Sequence, residues 1–210
     1  MSEHTTESSK RAPRVRLLSR EEAPEQTRRA FDADETREGR VRYLTQAVAA
    51  SPATWQTTAR ATHMYVTLRR VDAVTRSLLC LYTSFFGGCR YCIDDAAGAA
   101  LEDGVTPSQL LALRDVPSAG FDTRTTAALR YAEHVTLTPT AIPDEVVDAL
   151  TAQVDEEELL EITSVVAMKC FWNRLLSSLR IPPEGYVADA GTARALYAVS
   201  DELRRSRGLA

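Results

Sequence analysis

Long apolar runs, strand-like alternation and an excess of basic charge are all missing from this 210-residue chain. Without an extended apolar run nothing is there to cross a bilayer. With 25 Lys and Arg against 29 Asp and Glu, the formal net charge is −4, so no positive field awaits a nucleic acid. The opening stretch MSEHTTESSKRAPR has no apolar core of the kind a secretory signal needs. The expectation is a cytoplasmic protein with no membrane and no nucleic-acid partner. Histidine is scarce, and of the 25 basic residues only Lys10 and Lys169 are lysine. With abundant Ala and Thr, that bias suggests a high-GC bacterial genome.

What is present is helical spacing. Residues 1–13 read as a disordered polar tail, and 14–210 as one helical domain large enough to bury a sizeable core. PRVRLL reads as a short extended arm able to lie against a neighbouring subunit. A first helix is expected from Ser19 as N-cap, and others over 41–50 and about 52–70. Asp72 caps the next, which runs to the Gly87-Gly88 break, and a further helix spans about 89–102. Thr106 with Pro107 opens another, 123–137 stays helical to Pro139, and IPDEVV starts the next. The stretch 155–180 has neither Gly nor Pro, and a last helix covers about 188–205. The fold class is all-α.

The chemistry concentrates in SFFGGCRYCIDDAAGAALEDG, residues 84–104. Gly87 and Gly88 allow a sharp turn that brings Cys89 to a helix start. There the free N–H groups and the dipole favour a thiolate, and Arg90 adds positive charge. Cys92, three residues on, lies over the same face and within disulfide reach. A redox dithiol, half of a zinc site and an inert buried pair are the three readings. The zinc reading needs a second half from Cys80, Cys170, His63 or His134, and no second paired motif exists. No metal or cofactor is therefore expected, and Cys80 and Cys170 read as core residues.

The stretch RSLLCLYTSFFGGCRYCIDDAAGAALEDGV resembles the signature of the carboxymuconolactone decarboxylase / alkylhydroperoxidase D-like family. The likeness extends from about residue 14 to 187 and includes Phe171-Trp172-Asn173-Arg174. It implies a compact all-α fold and an obligate homo-oligomer, a dimer, trimer or hexamer. It also implies a dithiol at Cys89 and Cys92. In peroxidase-type relatives, a Glu twelve residues before the first Cys and a His four after the second relay a proton. Those positions here are Ser77 and Ala96, neither of which titrates near neutral pH.

Asp95, beside the vacated His position, and His134 are the candidate replacements for the relay. Paired acids at 94–95 also suit the start of a helix, where they complement the dipole. Tyr82, Tyr91 and Trp172, with Ser77 and Ala96, are expected to line a substrate pocket that the alanine enlarges. The leading reading is a thiol-dependent, peroxidase-related oxidoreductase acting on a small molecule. Cys89 attacks, Cys92 resolves, and an external thiol or dithiol reductant restores the pair. The alternatives are a cofactor-independent lyase, decarboxylase or isomerase working on a small organic substrate in the same cavity, and a non-enzymatic binding protein.

Overall fold

Short polar side chains fix where most helices begin. Asp72 accepts the Thr75 N–H at 2.9 Å and Asp155 that of Glu158 at 2.9 Å. Thr106 and Gln109 cap each other reciprocally. The computed structural model describes residues 12–209, and in these it holds ten α-helices and one 3₁₀ turn, with no strand. The helices are α1 (Glu25–Glu38), α2 (Tyr43–Val48), α3 (Pro52–Thr67), α4 (Ala73–Gly87), α5 (Arg90–Glu102) and α6 (Pro107–Ala112). After the 3₁₀ turn Leu113–Ser118 come α7 (Thr123–Leu137), α8 (Asp144–Thr151), α9 (Glu156–Leu179) and α10 (Ala190–Ser206). The tail expected over residues 1–13 falls, up to residue 11, outside the described residues.

The expected start of the first helix is corrected. The first helix begins at Glu25 after Pro24, because a residue before proline is steered away from helical φ/ψ and Ala23 is such a residue. Ser19 only closes a short turn, its Oγ accepting the Glu22 N–H at 3.3 Å. The arm at residues 14–18 lies on its own chain. Arg14 donates its backbone N–H to the Leu179 carbonyl at 2.9 Å, and Leu18 donates to that of Gln46 at 3.1 Å.

The apolar face of α4 makes the middle of the core. Leu79, Leu81 and Phe85 are fully buried there, against α5, α7, α9 and α10. A second, smaller apolar cluster gathers Cys89, Tyr91, Cys92, Trp172, Leu176 and Ile181 where α5 starts beside α9.

The loop after α9 is fastened to α5 by one carboxylate. Asp94 is buried and accepts the backbone N–H groups of Gly185 at 2.8 Å, Tyr186 at 3.1 Å and Val187 at 3.1 Å. Backbone and helix approach so closely that a Cβ on Gly98 would stand 2.6 Å from the Tyr186 Cβ. No helix among the described residues is long and apolar enough to cross a membrane.

Candidate active site

Helix α4 ends at Gly88, which adopts the left-handed conformation (φ 61°) that glycine takes without strain. The chain turns there and starts α5 with Cys89 as N-cap, and the Cys89 Sγ accepts the Cys92 N–H at 3.2 Å. The two sulfurs are joined in a disulfide across a Cα separation of 5.2 Å. Each cysteine is only 1% exposed, so neither is the more open of the two.

The pair forms part of the wall between two cavities. One, about 280 Å³, is lined by Gly88, Cys89, Arg90, Arg180, Pro182 and Tyr197 among others. The other, about 150 Å³, is lined by Cys92, Asp95, Lys169, Tyr65, Trp172 and Arg42 among others. Tyr91 and Leu176 face both. Cys89 thus belongs to the first cavity and Cys92 to the second.

Lys169 is the unusual group in the second cavity. It sits in VVAMKCFW on α9, its side chain 5% exposed, and its Nζ donates to Asp95 Oδ2 at 3.0 Å. Burial alone would push this ammonium down. The Asp95 carboxylate outweighs it and holds Lys169 above the ordinary lysine value. The neighbouring Cys80 thiol is itself pushed up by burial, so it stays neutral at physiological pH and Asp95 is the working counter-charge. Lys169 is therefore a fixed positive charge, unable to act as a base near neutral pH. In the same cavity the buried Tyr65 Oη lies against the Cys80 thiol, and burial raises its phenol far above the usual range.

Of the residues expected at this site, Cys89, Cys92, Asp95, Tyr91 and Trp172 are brought together, and four are not. Ser77 donates to Asp103 Oδ2 at 2.8 Å, at the far end of α5. Ala96 is buried in the main core and lines neither of the two cavities. Tyr82 is turned toward α7, its Oη donating to Glu133 Oε2 at 2.8 Å and its ring set edge-on to Phe86. His134 lies in the last turn of α7, with Nδ1 3.4 Å from Thr138 Oγ1, on a helix that packs chiefly on α4 and α9. Neither paired acid complements the dipole, for no acidic residue stands in the first turn of α5. Among the described residues no cluster of three or more His, Cys, Asp and Glu could hold a metal ion.

Lys169, Tyr65, Arg42, Arg180 and Tyr197 escape a reading of the sequence. Only Lys169 leaves a trace there, as a rare lysine embedded in an apolar helical run.

Residues 52–134 match the carboxymuconolactone decarboxylase family. YnjA of Escherichia coli K12, itself uncharacterized, is 29% identical over 116 residues, 55% of this chain and 64% of its own length, so the likeness spans less than two thirds of that relative. Among solved structures, an uncharacterized peroxidase-related protein from Ralstonia eutropha JMP134 with the alkylhydroperoxidase AhpD core superposes with a TM-score of 0.71 at 16% identity, over 83% of this chain and 94% of that one. The debrominase Bmp8 superposes with a TM-score of 0.70 at 20% identity, over 90% and 97%. At these identities the superpositions establish the fold, which is AhpD-like.

Proposed function

We propose that this chain, which has the AhpD-like fold and matches the carboxymuconolactone decarboxylase family over residues 52–134, is a thiol-dependent enzyme whose working pair is Cys89–Cys92. The family and its neighbours support an enzyme with a peroxidase-related or kindred role. The observation that carries the finer reading is the distribution of the two sulfurs. Cys92 shares an aromatic cavity with a fixed ammonium, while Cys89 caps the helix and faces another cavity.

This distribution exchanges the roles read from the sequence. Reduced Cys92, stabilised as thiolate by Lys169, attacks the distal oxygen of a peroxide. The O–O bond breaks, an alcohol leaves with a proton, and Cys92 becomes a sulfenic acid. The Cys89 thiolate then attacks the Cys92 sulfur, water leaves, and the disulfide forms. A dithiol or two monothiols return the two electrons. Charge stabilisation by Lys169 replaces the proton relay lost at positions 77 and 96, and the Tyr65 hydroxyl in the same cavity is available to the leaving oxygen. The direct test is stoichiometric. Fully reduced protein given one equivalent of an organic hydroperoxide is expected to lose two titratable thiols per chain and re-form Cys89–Cys92. Retention of both thiols would refute the reading.

Lys169→Met tests the substitute for the relay. Removing a cation beside a thiolate raises the thiol pKa by about one unit or more, so the thiolate is lost over the pH range just above its wild-type pKa. Alkylation of Cys92 near pH 7 should then slow about tenfold, measured on a Cys89→Ser background. Lys169→Arg should restore most of the rate. Asp95→Asn separates two roles for the carboxylate. As the counter-charge of Lys169 its removal leaves Cys92 as reactive or more so, whereas as a general base its removal slows the reaction.

A second reading draws on the Tyr65, Tyr91 and Trp172 walls of the Cys92 cavity and on the debrominase neighbour, a Cys→Ala variant of which was crystallised with 2,3,4-tribromopyrrole. The same dithiol can reduce a small halogenated ring. The carbon–halogen bond breaks, halide leaves, a proton replaces it on the ring, and the two thiols close to the disulfide.

A further inference from the structure

The Cys92 cavity does not end at Trp172. A third cavity, about 240 Å³, lies against it, and Arg42, Leu44, Thr62 and Trp172 line both. Helix α1 walls this outer space with Ala30 and Ala33, α2 with Leu44 and Val48, and α3 with Trp55 and Ala59. Its charges are already matched. Buried Asp34 pairs with Arg37 at 3.0 Å and with Arg42 at 2.8 Å. Glu38 stands 2.8 Å from Arg37 and 3.5 Å from Arg42, so two carboxylates answer two guanidiniums. Its hydroxyls are matched too. Thr45 donates to Asp34, Thr58 to the Trp55 carbonyl at 2.9 Å and Thr62 to the Thr58 carbonyl at 3.0 Å. The space therefore offers a guest apolar contact, with one indole at the junction and a second in the outer wall. Alone, the Cys92 cavity is smaller than the roughly 300–1,000 Å³ usual for small-molecule sites, and with its neighbour it reaches that range.

We propose that the outer cavity is a tail subsite of the Cys92 site, and that it takes an uncharged aromatic group carried by the substrate. The inference rests on reading Cys92 as the attacking thiol. The peroxide end meets Cys92 and Lys169, and the ring lies beyond Trp172, against Trp55 and the small side chains of Ala33 and Ala59. The bond changes at sulfur stay as described. Cys92 takes the distal oxygen, the O–O bond breaks, and the alcohol that leaves with a proton carries the ring. A charged tail is disfavoured there, because it would lose its water and disturb ion pairs built on the buried Asp34. Ala33 and Ala59 thus set how large a ring the site accepts. Lys169 answers to the reacting atoms and the two alanines to the far end, so reactivity and selectivity reside on different helices.

The experiment mixes the fully reduced full chain with hydrogen peroxide, tert-butyl hydroperoxide or cumene hydroperoxide and follows thiol loss. Each second-order rate is divided by that of mercaptoethanol with the same peroxide, which removes intrinsic reactivity. So normalised, cumene hydroperoxide is expected to lead tert-butyl hydroperoxide by about tenfold or more, through the ring alone. Ala33→Leu and Ala59→Leu fill the outer cavity from exposed helical positions that accept leucine, and neither residue lines the Cys92 cavity. Each should cut the lead, and together they should bring it close to one. Hydrogen peroxide, which has no tail, should stay within about twofold of the parent rate in both variants. Trp55→Ala should lower the lead as well, by removing contact rather than space. If cumene hydroperoxide has no lead, or keeps it in the doubly filled variant, the subsite inference falls while the dithiol reading stands. If no peroxide oxidises the pair at all, both fall.

Discussion

Cys92→Ser is expected to bring turnover of an organic hydroperoxide down by on the order of 10³-fold or more, the scale of removing a catalytic nucleophile. Cys89→Ser should behave differently. Its Cys92 still meets the substrate in the cavity with Lys169, so the first step survives and the sulfenic acid, without its resolving Cys89, accumulates. A dimedone adduct on Cys92 in that variant, one per chain by mass spectrometry, is the expected signature. An adduct on Cys89 in the Cys92→Ser protein would reverse the assignment and return the attacking role to the helix cap. Should the Cys92→Ser, Cys89→Ser double variant keep full activity on a small organic acid, the chemistry does not need sulfur, and the lyase reading replaces this one.

Asp94→Ala is expected to be the most damaging substitution outside the cysteines. Removing this carboxylate leaves the N–H groups of Gly185, Tyr186 and Val187 without an acceptor, in a loop pressed onto α5. Hydrogen bonds to a charged group contribute about 1.5–3 kcal/mol each, and buried donors left unmet add their own cost. A loss of about 3 kcal/mol or more in chemical denaturation is therefore expected, with Asp94→Asn milder because one oxygen remains to accept. The same loop begins at Ile181 and carries Pro182 and Pro183 past the Cys89 cavity. A variant as stable as the parent would show that water satisfies the loop as well as Asp94 does.

Much of the fold is legible because its determinants are local. Asp72, Thr106 and Asp155 announce helix starts through contacts three residues away, and the all-α class follows from spacing within single helices. The resemblance also points to the two cysteines on which the proposed site is centred. What surrounds them is not local. Lys169 reaches Asp95 across a separation of 74 residues, and Arg180 meets Arg90 in one cavity only because α9 ends beside the start of α5. Neighbouring Asp94 and Asp95 look equivalent on paper, but about 100° of helical rotation sends one into the loop and the other toward the lysine. Tyr82 and His134 mislead for the same reason. They are chemically able residues on good helices, and their helices turn them toward α7 and solvent, away from the sulfurs.

In the proposed mechanism the sulfur that caps α5 is also a redox atom, and this ties the fold to the electron balance of its surroundings. In the reduced protein the Cys92 N–H remains a partner for the Cys89 sulfur, now able to carry a full negative charge at the positive end of a helix. Stabilising the reduced form makes a disulfide the more oxidising. By thermodynamic linkage, whatever strengthens that cap more in the reduced than in the oxidised protein must raise the reduction potential by the matching amount. One closed cycle connects the gap between two melting curves, reduced and oxidised, to a voltage.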